Sequence, residues 1–421
     1  MKKCYSSANI LLPDFTKHSA EKWAVIACDQ FTSQPDYWER ARANVGDAPS
    51  TLDLMLPEVY LGESDRLVPK INQNMKKYMS EILVSHPDSI IYTERAQSDG
   101  RVRKGLVMAV DLEEYDYRKG ASSLIRATEA TVPERIPPRV AIRRGASIEL
   151  PHVMLLIDDP RLSVIEPLAN TVHKETAYDT PLMLGGGHIK GYFLSEEEKM
   201  SLGRSLDALT SKEAMEARYG SPDLAPLLFA VGDGNHSLAS AKAAYEEIKA
   251  RIGEKAVNHP ARYALAEIVN IHDSALDFEP IYRVMFGVDP EEVATALESY
   301  AASLKGDADP QRIELCCKGQ TRALTVSAPI RQLPVGTLQD FIDGYISSHP
   351  DCEVDYIHGK SAVAELSDKD GAIGFIFEGM GKDQLFKTVI FDGALPRKTF
   401  SMGHAEDKRY YMECRKITED N

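Results

Sequence analysis

Positive charge is scarce in this chain, with 49 lysines and arginines against 64 aspartates and glutamates in 421 residues and a formal charge of -15. No basic run is longer than the pair Lys76-Lys77, so attraction to a nucleic-acid backbone is not expected to be its main business. Arg101, Arg103 and Lys104, then Arg135, Arg139, Arg143 and Arg144, leave room for a local basic groove or for solvated strand faces. Cysteine is sparse as well. Cys4, Cys28, Cys316, Cys317, Cys352 and Cys414 are too irregularly spaced for a disulfide framework, and no Cys-x-x-Cys pair exists to hold zinc. A reducing cytoplasm is the expected compartment. Apolar runs are short: Ile10-Leu-Leu is stopped by Pro13-Asp14, and nothing approaches the roughly 18 residues of a membrane helix. Internal repeats and low-complexity linkers are also missing.

Several chemical motifs fail on spacing. Gly359-Lys360-Ser361 has the tail of a nucleotide-binding Gly-x-x-x-x-Gly-Lys-Ser loop, but Val354 stands where its first glycine belongs. Gly185, Gly187 and Gly191 do not make a dinucleotide fingerprint; a mobile loop over a pocket is expected there, from which His188 could reach a ligand. His152, His173, His188, His236 and His272 are not paired at metal-ligand spacing on a helix. No Gly-x-Ser-x-Gly turn marks a serine nucleophile, although a serine and a histidine can meet in space without being close in sequence.

With 43% hydrophobic residues the chain can bury a large core, enough for two or three compact units. Strand and helix signals interleave throughout. A helix is expected over Pro35 to Asn44 and another over Asp65 to Val84. Ile90 to Arg95 and Arg103 to Asp111 read as strands joined through Ser98-Asp99-Gly100. Ala261 to Ile271 suits a core strand or a helix equally. Asp289-Pro290-Glu291-Glu292 starts a helix that ends by Gly306. Short strands, including Ala372 to Phe377 and Thr388 to Phe391, then surround a helix over Thr337 to Ser347. The class expected is α+β (mixed α/β). Three regions are anticipated, a mixed N-terminal one over 1–120, a central phosphate-binding one over 121–288, and an α+β lobe over 289–421.

One segment carries chemistry. The apolar run Leu227 to Val231 should be a strand, and the Ala-rich run Leu238 to Arg251 a helix ending at Gly253. Between them lie Gly232, Asp233, Gly234, Asn235, His236 and Ser237. Two glycines let the backbone bend and approach a ligand, and a new helix presents amide N–H groups and a positive dipole end, a place to hold phosphate. Asp233 adds a carboxylate for a metal ion or a proton, and Ser237 or Asn235 could cap the helix. An ordinary strand-to-helix turn is the alternative. Elsewhere Arg126, Arg283 and Lys398 could grip an anion and Glu129 could take a proton, or each could be a solvated ion-pair residue.

The Gly232-Asp-Gly-Asn-His236 turn resembles the strand-turn-helix core of the ParB/sulfiredoxin-like superfamily, whose members often read Asp-Gly-x-His-Arg before an Ala-rich helix. The chain is also similar over nearly its whole length to domain-of-unknown-function family 1015. Cys28-Asp29-Gln30, Arg126-Ala-Thr-Glu129, Pro280-Ile-Tyr-Arg283 and Pro396-Arg-Lys-Thr399 stand at that family's other motif positions. Ser237 replaces the superfamily's usual arginine, and Tyr282 stands where the family often has histidine. The charge speaks against the DNA-partitioning branch, and the lack of a reactive-cysteine setting near the turn against sulfiredoxin chemistry. The superfamily to which the turn is similar also includes free-serine kinases, which phosphorylate a small hydroxy amino acid. The resemblance thus implies a phosphotransferase using ATP or ADP and Mg²⁺ on a small hydroxy metabolite. In it the amides of Asn235 to Ser237 would hold phosphate, His236 would steady its charge, and Asp233 would hold Mg²⁺ or the acceptor hydroxyl. Glu129 would be the base, and Arg126 or Arg283 the charge clamp. A phosphoester hydrolase and a nucleotide- or metabolite-sensing regulator are the alternatives.

Overall fold

A computed structural model describes residues 3–129, 136–171, 175–403 and 405–419; Arg135 and His173 lie outside them. The fold is α+β and divides into two compact units. The first comprises Met1–Ala127, Thr131–Leu276 and His404–Asn421, the second Thr128–Ala130 and Asp277–Gly403. Among the described residues no helix is long and apolar enough to cross a membrane.

The first unit is built on a mixed sheet, ten-stranded among the described residues. Its centre runs Ile91–Ala96, Val102–Asp111, Tyr263–Asn270, Met154–Ile157, Phe229–Asp233, Ile125–Ala127. Both faces are buried. Along Val102–Asp111, Leu106, Met108 and Val110 enter one apolar cluster, while Val107 and Ala109 enter the cluster on the other face. Tyr263–Asn270 behaves in the same way, with Leu265 on one side and Ala264 and Ala266 on the other. A strand covered on both faces is apolar at most positions, so periodicity could not separate strand from helix here.

Two expectations are corrected in these units. The segment around Gly185 is not a mobile loop: Glu175–Leu182 and Gly187–Phe193 pair as an antiparallel hairpin, with Leu184 (φ 55°) and Gly187 (φ 78°) making the bend. Tyr178, Thr180 and Leu182 are buried and alternate with exposed Asp179 and Pro181, a period-two pattern obscured by its polar residues. Thr388 to Phe391 is not a strand but the end of the helix Gln384–Phe391. There Leu385 meets Thr388 and Val389 at helical spacing on the buried face, which outweighs the β-branched composition.

The second unit has its own sheet, in the order Gln320–Val326, Gln311–Cys317, Ala372–Phe377, Phe278–Phe286, Glu353–His358, with Phe400–Met402 also pairing to Phe278–Phe286. Its helix Pro290–Ser303 begins as the sequence indicates, Asp289 Oδ1 accepting from the amides of Glu291 at 2.9 Å and Glu292 at 3.4 Å.

Candidate functional site

Phe229–Asp233 forms a buried strand of the first unit, and the helix Asn235–Ile252 starts immediately after it. Gly234 is the residue between, in a left-handed conformation (φ 80°, ψ 27°) that a side chain would strain. A Cβ there would also lie 3.1 Å from Val153 Cα, so the glycine lets residues 151–153 pass close to the turn. Gly232 is needed for packing, since a Cβ would meet the Leu156 side chain at 2.8 Å. The expected caps are corrected: neither Ser237 nor Asn235 caps the helix, because both lie inside it, and Gly234 takes the cap position without a side-chain bond.

Three further segments of the same unit converge on this turn. Met154 pairs with Asp233, which sets His152 at the turn's flank. The strand Val25–Ile26 delivers Cys28 and Asp29, and pairs with Tyr410–Tyr411 from the far end of the chain. That last segment is held by Arg409, whose guanidinium bonds Glu267 at 2.9 Å, pairs with Glu413, and donates to the Pro151 carbonyl at 2.9 Å. The same arginine therefore fixes both the segment bearing His152 and the one bearing Lys408 and Tyr411.

Asp233 is partly buried, and each of its carboxylate oxygens takes one donor. Its Oδ1 accepts the Gly234 amide at 2.9 Å and its Oδ2 accepts from Lys408 Nζ at 3.0 Å. Burial pushes its pKa up, but the Lys408 ammonium, with contributions from His152 and the Gly234 amide, outweighs that and holds the carboxyl below its usual range. Ser237 Oγ lies 2.8 Å from His152 Nε2, and His152 Nδ1 lies 2.8 Å from the Tyr411 hydroxyl. Asp29 Oδ2 stands 3.8 Å from His152 Nε2. The Tyr411 hydroxyl also donates to Cys28 Sγ at 3.2 Å and accepts the Cys28 amide at 3.3 Å. Burial, then the charge of Asp29, pushes the Cys28 thiol up to about 12, and burial raises the Tyr411 phenol well above its ordinary value, so both keep their protons. A cleft of about 190 Å³ opens onto His152, Ser237, Tyr411 and Cys28, and much of its remaining wall is apolar.

The Mg²⁺ role expected for Asp233 does not fit this arrangement. Both carboxylate oxygens already take donors, an ammonium stands where a dication would bind, and no group of three or more His, Cys, Asp or Glu suited to a metal occurs among the described residues.

The other sequence candidates are placed as follows. Arg126, on a strand beside Phe229–Asp233, is buried and donates to the carbonyls of Ser123, Ala225 and Pro226 at 2.8 to 3.1 Å, anchoring the approach to that strand. Glu129, Arg283 and Lys398 belong to the second unit. There Arg283 is fully buried, bonds Gln339 and the carbonyls of Arg397 and Lys398, and lies 4.8 Å from the Tyr356 ring centroid, as does Lys398 Nζ. Glu129 bridges to Leu395 in that unit, and its charge acts on Arg283, which burial lowers to about 10. His188 pairs with Asp179 at 2.6 Å on the hairpin, and His272 with Asp158 at 2.7 Å. Sequence reasoning missed Lys408 and Tyr411 altogether and saw His152 only as an unpaired histidine. No local signal marks any of the three.

An α+β chain whose main sheet carries a glycine-bent strand-turn-helix on an interior strand, ringed by Asp, Lys, His and Ser side chains, is the class defined by these features. Residues 14–345 match the profile of the family described as protein of unknown function DUF1015, and the chain belongs to that family. No curated protein matches the sequence. Among solved structures, a conserved hypothetical protein from Pyrococcus furiosus is similar at 10% identity and TM-score 0.35, over 74% of this chain and 95% of that one. A mutant of free serine kinase in complex with ADP is similar at 11% identity and TM-score 0.37, over 76% and 93%. SbnI from Staphylococcus aureus is similar at 10% identity and TM-score 0.33, over 70% and 82%. At these scores the neighbours' ligands say nothing about this chain's.

Proposed function

We propose that this protein is a nucleotide-dependent phosphotransferase acting on a small hydroxy metabolite, such as a hydroxy amino acid, with the Gly232 to Ser237 turn as its phosphate-binding element. The observation that carries the reading is a helix N-terminus without a side-chain cap, entered through left-handed Gly234, with the Lys408 ammonium fixed 3.0 Å from Asp233 beside it. Phosphate is favoured there by the first-turn amides of Asn235 to Ser237 and by the helix dipole. An ammonium has three donors, so Lys408 can serve Asp233 and a phosphate oxygen together. Lys408 then takes the charge-neutralising part first expected of a metal ion, and His236 in the first turn adds a further polar group. Asp233, kept ionised, would hold the acceptor hydroxyl by accepting its hydrogen bond. The small cleft beside Ser237 suits an acceptor well below drug size.

The test is incubation of the protein with ATP or ADP, Mg²⁺ and a panel of hydroxy amino acids, read as nucleotide turnover and as a thermal shift. Turnover that depends on one acceptor is expected. Absence of turnover together with absence of any thermal shift would overturn the reading. Asp233→Asn should lose rate more than nucleotide affinity, because the carboxylate is assigned to orient the reacting hydroxyl.

A further inference from the structure

We infer that Ser237 is a nucleophile that carries the transferred phosphoryl group covalently, so that transfer runs in two steps; this rests on the phosphotransferase reading above. Three observations support it. The first is reach: Ser237 Oγ is 2.8 Å from His152 Nε2, within the distance for a base to take its proton. The second is the tautomer, assigned from the hydrogen-bond network. The Tyr411 hydroxyl donates to Cys28 Sγ, so its oxygen is an acceptor toward His152 at 2.8 Å. His152 Nδ1 therefore bears the hydrogen, and Nε2 presents its lone pair to the serine. The third is what happens to the charges. An imidazolium formed at His152 has the Asp29 carboxylate 3.8 Å from Nε2, and the serine oxygen lies in the first turn of a helix, whose positive end favours the developing alkoxide. A nucleophile, its base and a third group orienting that base are thus assembled from three distant stretches of sequence.

The chemistry balances. In the first step His152 Nε2 takes the Ser237 proton, the Oγ–P bond forms, the bond from phosphorus to the donor's bridging oxygen breaks, and the nucleoside diphosphate leaves. The imidazolium gives its proton to the leaving phosphate or to water. In the second step His152 takes the proton of the acceptor hydroxyl, whose oxygen attacks the phosphoserine. The new O–P bond forms, Oγ–P breaks, and Ser237 recovers its proton from His152. Tyr411 stays neutral throughout and acts as a positioning residue.

Two measurements on the full chain test this. In the first, wild type, Ser237→Ala and His152→Gln are incubated with ATP and Mg²⁺ without acceptor, quenched in acid, and mapped by mass spectrometry. One phosphoryl group on Ser237 is expected, discharged when acceptor is added, absent in Ser237→Ala, and formed roughly 10²–10⁴-fold more slowly in His152→Gln. In the second, a phosphonyl fluoride probe is offered without nucleotide; it should label Ser237, more slowly in Tyr411→Phe although that variant's nucleotide affinity is unchanged. Thermal melts of each variant exclude misfolding as the cause of a lost label. Acceptor-dependent turnover that survives in Ser237→Ala, with neither adduct in wild type, overturns the covalent carrier and leaves the phosphotransferase standing. Phosphonyl labelling of Ser237 without nucleotide turnover supports the nucleophile and overturns the nucleotide reading. Neither adduct and no turnover overturns both.

Discussion

Lys408 is the side chain on which the electrostatics of the turn depend. Asp233 is 26% exposed and Lys408 17%, so each charge is largely withdrawn from water and needs the other. In the native protein the Asp233 pKa is depressed. Its contribution to stability is therefore present above the unfolded carboxylate value of about 3.9 and lost as pH falls through the lower folded value. Replacing Lys408 by Met leaves burial, which raises the pKa, without its main counterweight. The variant should lose about 1–3 kcal/mol at neutral pH, with the deficit shrinking as pH falls and gone only below the depressed folded value, where Asp233 is protonated folded and unfolded alike. Chemical denaturation of both proteins across pH checks this; a deficit independent of pH would contradict the assigned ion pair. At the same scale the two glycines have separate duties, Gly232 for packing against Leu156 and Gly234 for its backbone angles. Gly234→Ala should cost about 1–3 kcal/mol from strain and abolish any phosphate-dependent thermal shift.

At the scale of elements, the strand-turn-helix contributes the turn, but neighbouring elements supply the groups around it. The buried cluster of Glu267, Arg409 and Glu413, with Arg103 3.6 Å from Glu267, ties the central strand Tyr263–Asn270 to the last segment of the chain. Arg409→Met would leave two buried carboxylates short of their main partner and release the Pro151 carbonyl. The expected loss is about 3–5 kcal/mol, read in urea, with nucleotide-dependent activity falling further than stability alone explains because His152 and Lys408 both lose their anchor. Arg409→Lys should recover only part of this, since one ammonium cannot reproduce three directed guanidinium bonds.

At the scale of the whole molecule, the first unit closes only when the chain returns to it after Gly403. Tyr410–Tyr411 pairs with Val25–Ile26, Cys414–Lys416 pairs with both Ala8–Pro13 and Ile148–Glu149, and the Trp23 indole donates to the Met412 carbonyl at 2.7 Å. Truncation after Gly403 removes all three pairings, Lys408, Tyr411 and the Arg409 network together. The truncated chain should lose cooperative unfolding of the first unit, visible as proteolysis within residues 1–127 under conditions where the full chain resists.

The sequence by itself determined the α+β class, the strand and helix around the turn, the bend between them and the start of the helix at Pro290. Each follows from local causes: a short apolar run, an Ala-rich stretch, glycines able to adopt positive φ, an aspartate whose carboxylate meets the next amides. Its errors were local as well, since β-branched Thr388 and Val389 suggested a strand where helical spacing on a buried face prevailed. Only tertiary structure decided which side chains surround the turn. Cys28 and Tyr411 are 383 positions apart and meet because two short strands pair, and Lys408 reaches Asp233 through the same pairing. Contacts of that kind depend on sheet register and on a buried ion network. Neither leaves a period or a spacing in the amino-acid sequence.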